Sequence, residues 1–102
     1  MLEQSSRAQG RLIYRFAFKA FRSLVRLLEG QGGAMAKDRL VDPLGDFASV
    51  DFSLRGALLT LDYDTYDNYT LLSAGPRGRA VLEGLRPLLD AGEYPVLEES
   101  EF

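Results

Sequence analysis

Residues 11–29 read RLIYRFAFKAFRSLVRLLE, and the assignment of this stretch decides the fold, because it joins a long apolar surface to a regular series of cations. Arg11, Arg15, Lys19, Arg22 and Arg26 recur at steps of four, four, three and four. At about 100° per residue they fall in one narrow sector of an α-helix. Ile13, Ala17, Ala20, Leu24, Leu27 and Leu28 make a core stripe opposite, and Tyr14, Phe18, Phe21 and Val25 add a second stripe beside the cations. Together the apolar positions wrap roughly two thirds of the circumference, more than the ~100° stripe of a one-sided surface helix. The spacing predicts a long N-terminal helix that wants cover on two sides.

Working outward, Ser6 and Gln9 have the spacing of a capping box, while Gly10 weakens the first turn. Gly30, Gly32 and Gly33 are suited to end the helix. Residues 34–46 read as a connector, with Asp42-Pro43 disfavouring helix, Gly45-Asp46 as turn material and a short helical turn around Lys37 to Leu40.

From Phe47 the period changes to two. Val50, Phe52 and Leu54 alternate with Ser49, Asp51 and Ser53, and Leu59, Leu61 and Tyr63 alternate with Leu58, Thr60 and Asp62. With Arg55-Gly56 as a two-residue loop, Leu54 faces Ala57, Phe52 faces Leu59 and Val50 faces Leu61, so the apolar sets share one side. A third strand is expected over Tyr69 to Ala74. Turning at Asp67-Asn68, it would set Tyr63 against Leu72 and Leu61 against Ala74, with Tyr66 and Tyr69 paired on the outer face. Gly75-Pro76 then opens a second helix whose apolar face is Val81, Leu82, Leu85, Leu88 and Leu89, which Pro87 should kink or close early and Gly92 should end. Tyr94 to Leu97 suits a short edge strand. Residues 1–10 and 98–102 are expected to be frayed or to await a partner.

The totals narrow the function classes. The 102 residues, 46% hydrophobic and 26% charged, suit one globular domain. There is no cysteine, hence no disulfide framework or thiolate chemistry, which fits a reducing, cytoplasmic setting. Histidine is also missing, and with it the usual general base and the commonest metal ligand. An Arg or Lys interrupts the longest apolar runs every few residues, so neither a membrane span nor a secretory signal is expected. The net charge of −3 conceals a division: residues 1–37 carry +5 and residues 38–102 carry −8. Such asymmetry fits an anionic partner for the first part, a cationic one for the second, or internal compensation.

Four groups of residues are candidate sites. The cationic row Arg11, Arg15, Lys19, Arg22 and Arg26, with Tyr14 and Phe18 beside it, has the pattern of a nucleic-acid or anionic-membrane contact. A solvated ridge paired with the chain's own acids explains it more simply. Gly75-Pro76-Arg77-Gly78-Arg79 at a helix start could attract phosphate through Arg77 and Arg79, but it lacks the Lys-Ser/Thr of a P-loop and reads better as a solvent-facing turn. Asp62, Asp64 and Asp67 could share a divalent cation, although a solvated sheet edge is the simpler account. Tyr66, Tyr69 and Tyr94 are interface material, or cross-strand packing.

These readings converge on an α+β domain of order α-β-β-β-α, a three-stranded antiparallel meander packed on a long N-terminal helix. Functionally they describe a non-catalytic protein-interaction module, a subunit, adaptor or inhibitor of the immunity-protein type, that binds another macromolecule through its apolar long helix and its acidic sheet half, with no cofactor and no metal. Tyr14, Phe18, Phe21, Val25, Tyr66 and Tyr69 are its candidate protein-binding residues, and the partner is another protein or a second copy. The alternative is a nucleic-acid-binding protein using the basic row together with Arg77 and Arg79.

Overall fold

The computed structural model describes residues 10–35, 40, 41 and 45–101. Residues 11–29 do not form one helix. Strand β1, Leu12–Ala17, leads into a 3-10 turn, Phe18–Ala20, and then into helix α1, Phe21–Gly30. A step of four is even, so Arg11 and Arg15 share a face in a strand as well as in a helix. What separates the two assignments is the buried set Leu12, Tyr14 and Phe16, which alternates with Ile13, Arg15 and Ala17. Beyond Ala17 the helical phase is real, since Ala20, Leu24 and Leu28 are buried. Thr70 Oγ1 donates to the Phe18 carbonyl at 2.9 Å and marks the point of change. The Ser6–Gln9 capping box lies outside the described residues.

The glycine run ends α1 as expected, and partly by close approach. Gly32 has φ +94°, and a Cβ on Gly33 would stand 2.7 Å from the Leu28 carbonyl oxygen, which accepts the Gly33 amide at 2.8 Å. The expected connector carries edge strands instead: β2, Ala34–Met35, and β3, Leu40–Val41, both pair antiparallel with β4, Phe47–Leu54. Of the helical turn expected at Lys37 to Leu40, residues 37–39 lie outside the described set and Leu40 belongs to β3.

Strand β4 forms a hairpin with β5, Ala57–Asp64, in the expected register, Leu54↔Ala57, Phe52↔Leu59 and Val50↔Leu61. Arg55 and Gly56 both have positive φ, 52° and 79°, as a two-residue turn matched to strand twist requires. The next hairpin, to β6, Tyr69–Ala74, sits two residues from the expected pairing, with Tyr63 opposite Thr70 and Leu61 opposite Leu72. Its turn is longer than Asp67-Asn68. Asp64 Oδ1 accepts the Tyr66 amide at 2.8 Å, the Asp64 carbonyl accepts the Asn68 amide at 2.9 Å, and Asn68 takes φ 61°. A slip of two leaves every side chain on its intended face.

Strand β1 then pairs with β6 from Leu12↔Ala74 to Ala17↔Tyr69. On its far side it takes β7, Glu98–Glu101, where a frayed end was expected; the edge strand lies beyond the expected Tyr94 to Leu97. Among the described residues the sheet is antiparallel, in the order β2-β4-β5-β6-β1-β7 with β3 also on β4. Helix α2, Arg79–Ala91, starts after a turn in which the Gly75 carbonyl accepts the Gly78 amide at 3.0 Å. Pro87 lies inside α2 without closing it early, and Gly92 follows its end.

One cluster joins Leu24 and Leu28 of α1, Leu82, Leu85 and Leu89 of α2, and the inner sheet face, including Tyr14, Phe16, Phe52 and Leu61. At about 25 cal/mol per Å² of apolar surface, each such leucine contributes roughly 1.5–3 kcal/mol. The chain is thus a compact α+β domain whose sheet takes in β1 between β6 and β7, in place of the α-β-β-β-α order with a long first helix. Its other sheet face is covered by neither helix.

Candidate functional site

The uncovered face is assembled from residues that alternate with the core. Cross-strand registers line up Arg15, Leu71 and Asp62 in one row, flanked by Glu98 on β7, and Ala17, Tyr69, Asp64 and Phe47 in the next. Ile13, Leu71 and Tyr69 are half-buried and Phe47 is 38% exposed. Thr60 and Ser73 lie on the same face, where Ser73 accepts from Arg11 Nη2 at 2.9 Å and Thr60 donates to Asp51 Oδ1 at 2.8 Å. An outward sheet face is ordinarily polar. This one has an apolar centre.

The rim is acidic. Asp51, Asp62, Asp64 and Glu98 stand on this face and Asp67 on its bordering turn, against Arg15 and Arg11. The Arg15 guanidinium lies 5.6 Å from the Tyr69 ring centroid and 3.4 Å from Glu98 Oε1. The Tyr69 phenol is held above its ordinary pKa, first by burial and then by the negative charge of Asp67, Asp64 and Asp62; Arg15 opposes the shift. The aspartate field therefore reaches the ring. Two shallow hollows flank Tyr69 and Leu71: one of about 230 Å³ against Phe47, Asp62 and Asp64, and one of about 430 Å³ against Ile13, Arg15 and Glu98. Aromatic and aliphatic floors with carboxylates at the rim suit Lys or Arg side chains, whose stems bury on apolar surface while their heads pair with carboxylate.

The residues singled out from sequence do not form one patch. Tyr14 is fully buried on the inner face with the Arg86 guanidinium 5.1 Å above its ring. Phe18 and Phe21 meet Tyr63 edge-on at 5.4 and 4.8 Å, next to Lys19 and Arg22. Val25 packs on the core. Tyr66 is 80% exposed in the β5–β6 turn and its hydroxyl donates to Asp46 Oδ2 at 3.0 Å. Of the six, Tyr69 alone stands on the open face.

The cationic ridge is divided as well. Arg11 and Arg15 belong to the open face, Lys19 to the 3-10 turn, and Arg22 and Arg26 to the exposed side of α1. Arg77 is exposed beside Leu58 and Pro76, whereas Arg79 pairs with Glu83 and Glu101. Asp62 and Asp64 do share a strand face, and among the described residues no three His, Cys, Asp or Glu side chains gather in a metal-binding group. Ile13, Leu71, Phe47 and Glu98 were not singled out. The signal for Ile13 was the alternation over 12–17; Leu71 lies in an unbroken apolar pair with Leu72 and carries no periodic mark.

No family model, curated protein or solved structure matches this chain. Among the described residues no helix is long and apolar enough to cross a membrane.

Proposed function

We propose that this chain is a non-catalytic protein-interaction module that binds a basic partner protein through the open face of its sheet. The observation that supports the reading is the arrangement of Tyr69, Leu71 and Ile13 in the open, on the side of the sheet that α1 and α2 leave uncovered, inside a rim of Asp62, Asp64, Asp67 and Glu98. An aromatic and aliphatic centre with a charged rim is the anatomy of a protein interface. The rim's sign selects cationic partners and speeds their approach.

Of the two surfaces expected from the sequence, the apolar first helix and the acidic sheet half, the second carries the contact here and the first does not. The surplus apolar side chains that argued for a helix interface are largely spent inside the fold: Tyr14 and Phe16 are core, and Phe18 and Phe21 pack on Tyr63. The nucleic-acid alternative is less favoured, because its cationic row is divided between the open face (Arg11, Arg15), the 3-10 turn (Lys19) and α1 (Arg22, Arg26). A subunit, adaptor or inhibitor in the cytoplasm accords with the proposal.

The test is capture from native extract with the tagged wild-type chain beside Leu71→Arg and Asp62→Lys variants, reading co-eluting proteins by mass spectrometry. The expected result is a stoichiometric protein lost with both variants. Retention of the same proteins by both variants would place the interface elsewhere, and a wild-type chain that captures nothing would overturn the reading.

A further inference from the structure

Strand β7 is attached in an unusual way. All four of its residues, Glu98, Glu99, Ser100 and Glu101, are exposed, so no buried side chain anchors it. Instead each glutamate meets one arginine: Glu98 Oε1 lies 3.4 Å from Arg15 Nη1, Glu99 Oε1 lies 2.8 Å from Arg86 Nη1, and Glu101 pairs with Arg79. The contacts alternate with the pleat, Glu98 on the open face and Glu99 and Glu101 toward α2. Ion pairs at this exposure are weak and salt-screened.

Release of β7 leaves its helix arginines paired, and what is given up beside the ladder is the Leu97 amide bond to the Arg15 carbonyl, 2.8 Å, and the packing of Val96 on the core. Arg79 keeps Glu83 at 3.3 Å and Arg86 keeps Asp90 at 2.8 Å, so neither arginine is stranded. Strand β1 stays in place, because it pairs with β6 and buries Leu12, Tyr14 and Phe16. What remains is an unpaired strand edge beside three arginines, a template for an acidic strand. A matching strand is at hand on every other copy of the chain.

We propose that β7 exchanges between two copies, each β1 edge accepting the Glu98–Glu101 strand of the second copy in the register it has in cis. This inference stands on the β1 edge and is independent of the open-face reading. Exchange of identical elements reuses every native contact, and the closed product is a two-fold dimer. The exchanged unit begins after Gly92, because Tyr94 and Val96 pack on the core and the Leu97 amide donates to the Arg15 carbonyl at 2.8 Å, so these contacts pass to the second copy together with β7.

Charge exchange tests this directly. One chain carries Arg79→Glu with Arg86→Glu, and the other carries Glu99→Arg with Glu101→Arg, so each repels its own β7 while the two complement each other only in trans. An equimolar mixture at low salt is expected to double in mass by light scattering, which neither chain does alone, and to revert at high salt. A mixture that stays monomeric overturns the proposal.

A second measurement uses native charges and covers the case in which the reversed helices fail to fold. The chain has no cysteine, and Ile13 lies opposite Ser100, at a separation a disulfide spans. Chains bearing Ile13→Cys and Ser100→Cys, mixed and oxidised, should cross-link well above a control pair in which Ser53→Cys replaces Ser100→Cys. Cross-linking no greater than that control overturns the exchange.

Discussion

Arg15 and Tyr69 meet diagonally across the β1–β6 pair, the guanidinium 5.6 Å from the ring centroid, and this contact ties the sheet's acidic field to a titrating group. Burial raises the Tyr69 phenol first, Asp67, Asp64 and Asp62 raise it further, and Arg15 pulls it back. Tyr14, on the other face, is also raised, first by burial and with Arg86 opposing.

Both shifts favour the neutral phenol in the folded state. Their stabilisation is complete below the unfolded value of 10.0 and is lost as pH climbs from there through the raised folded values. Thermal melting should therefore decline above about pH 10, and Tyr14→Phe should flatten the decline. In ultraviolet titration, Arg15→Ala should move the Tyr69 transition to higher pH. A transition that moves down would mean that Arg15 does not face the ring.

The alternation of β1 is open to a direct stability test. Leu12→Ala and Phe16→Ala, which empty fully buried sites, should each cost about 2–5 kcal/mol in urea denaturation. Ile13→Ala, on the open face, should cost less than about 1.5 kcal/mol. A helix over 11–29 requires the opposite order, with Ile13 in the core stripe.

That contrast explains what was legible in the sequence. The β4–β5 hairpin could be read because Ser49, Asp51 and Ser53 separate its apolar residues without ambiguity. Strand β1 could not: Phe16-Ala17-Phe18 is apolar on every face, Arg11 and Arg15 suit either period, and the choice is made by the edge of β6, far along the chain. Strand β7 was invisible because Glu98-Glu99-Ser100-Glu101 has no apolar alternation, and its partners, the β1 ladder and the arginines at positions 15, 79 and 86, lie elsewhere in the chain. The site was half legible in the same sense. Tyr69, Asp62 and Asp64 were visible as a tyrosine among acids, while the uncovered face that gives them meaning exists only once α1 and α2 pack on the same side.

Arg55 holds a left-handed conformation, φ 52°, beside Gly56, and its Nη2 bond to Gln31 Oε1 at 3.2 Å is exposed. An L-residue pays about 1–2 kcal/mol there, and asparagine tolerates the region best after glycine. Arg55→Asn should raise stability by about 1 kcal/mol in chemical denaturation. A loss of stability would mean that the Gln31 contact outweighs the backbone strain.

Leu71 and Leu72 are adjacent in sequence and opposite in role. Leu72 is fully buried against the helices, whereas Leu71 lies on the open face between Arg15 and Asp62. Leu72→Ala should lower stability by about 2–5 kcal/mol, as cavity-forming substitutions do. Leu71→Arg, at a half-buried position, should cost less than about 1.5 kcal/mol, while abolishing capture of a basic partner by placing a long cation at the centre of the apolar floor. Urea denaturation and capture measured on the same two variants separate the effects. If Leu71→Arg unfolds the chain, Leu71 is core and the open face is not a surface; if it leaves both stability and capture intact, the interface lies away from Leu71.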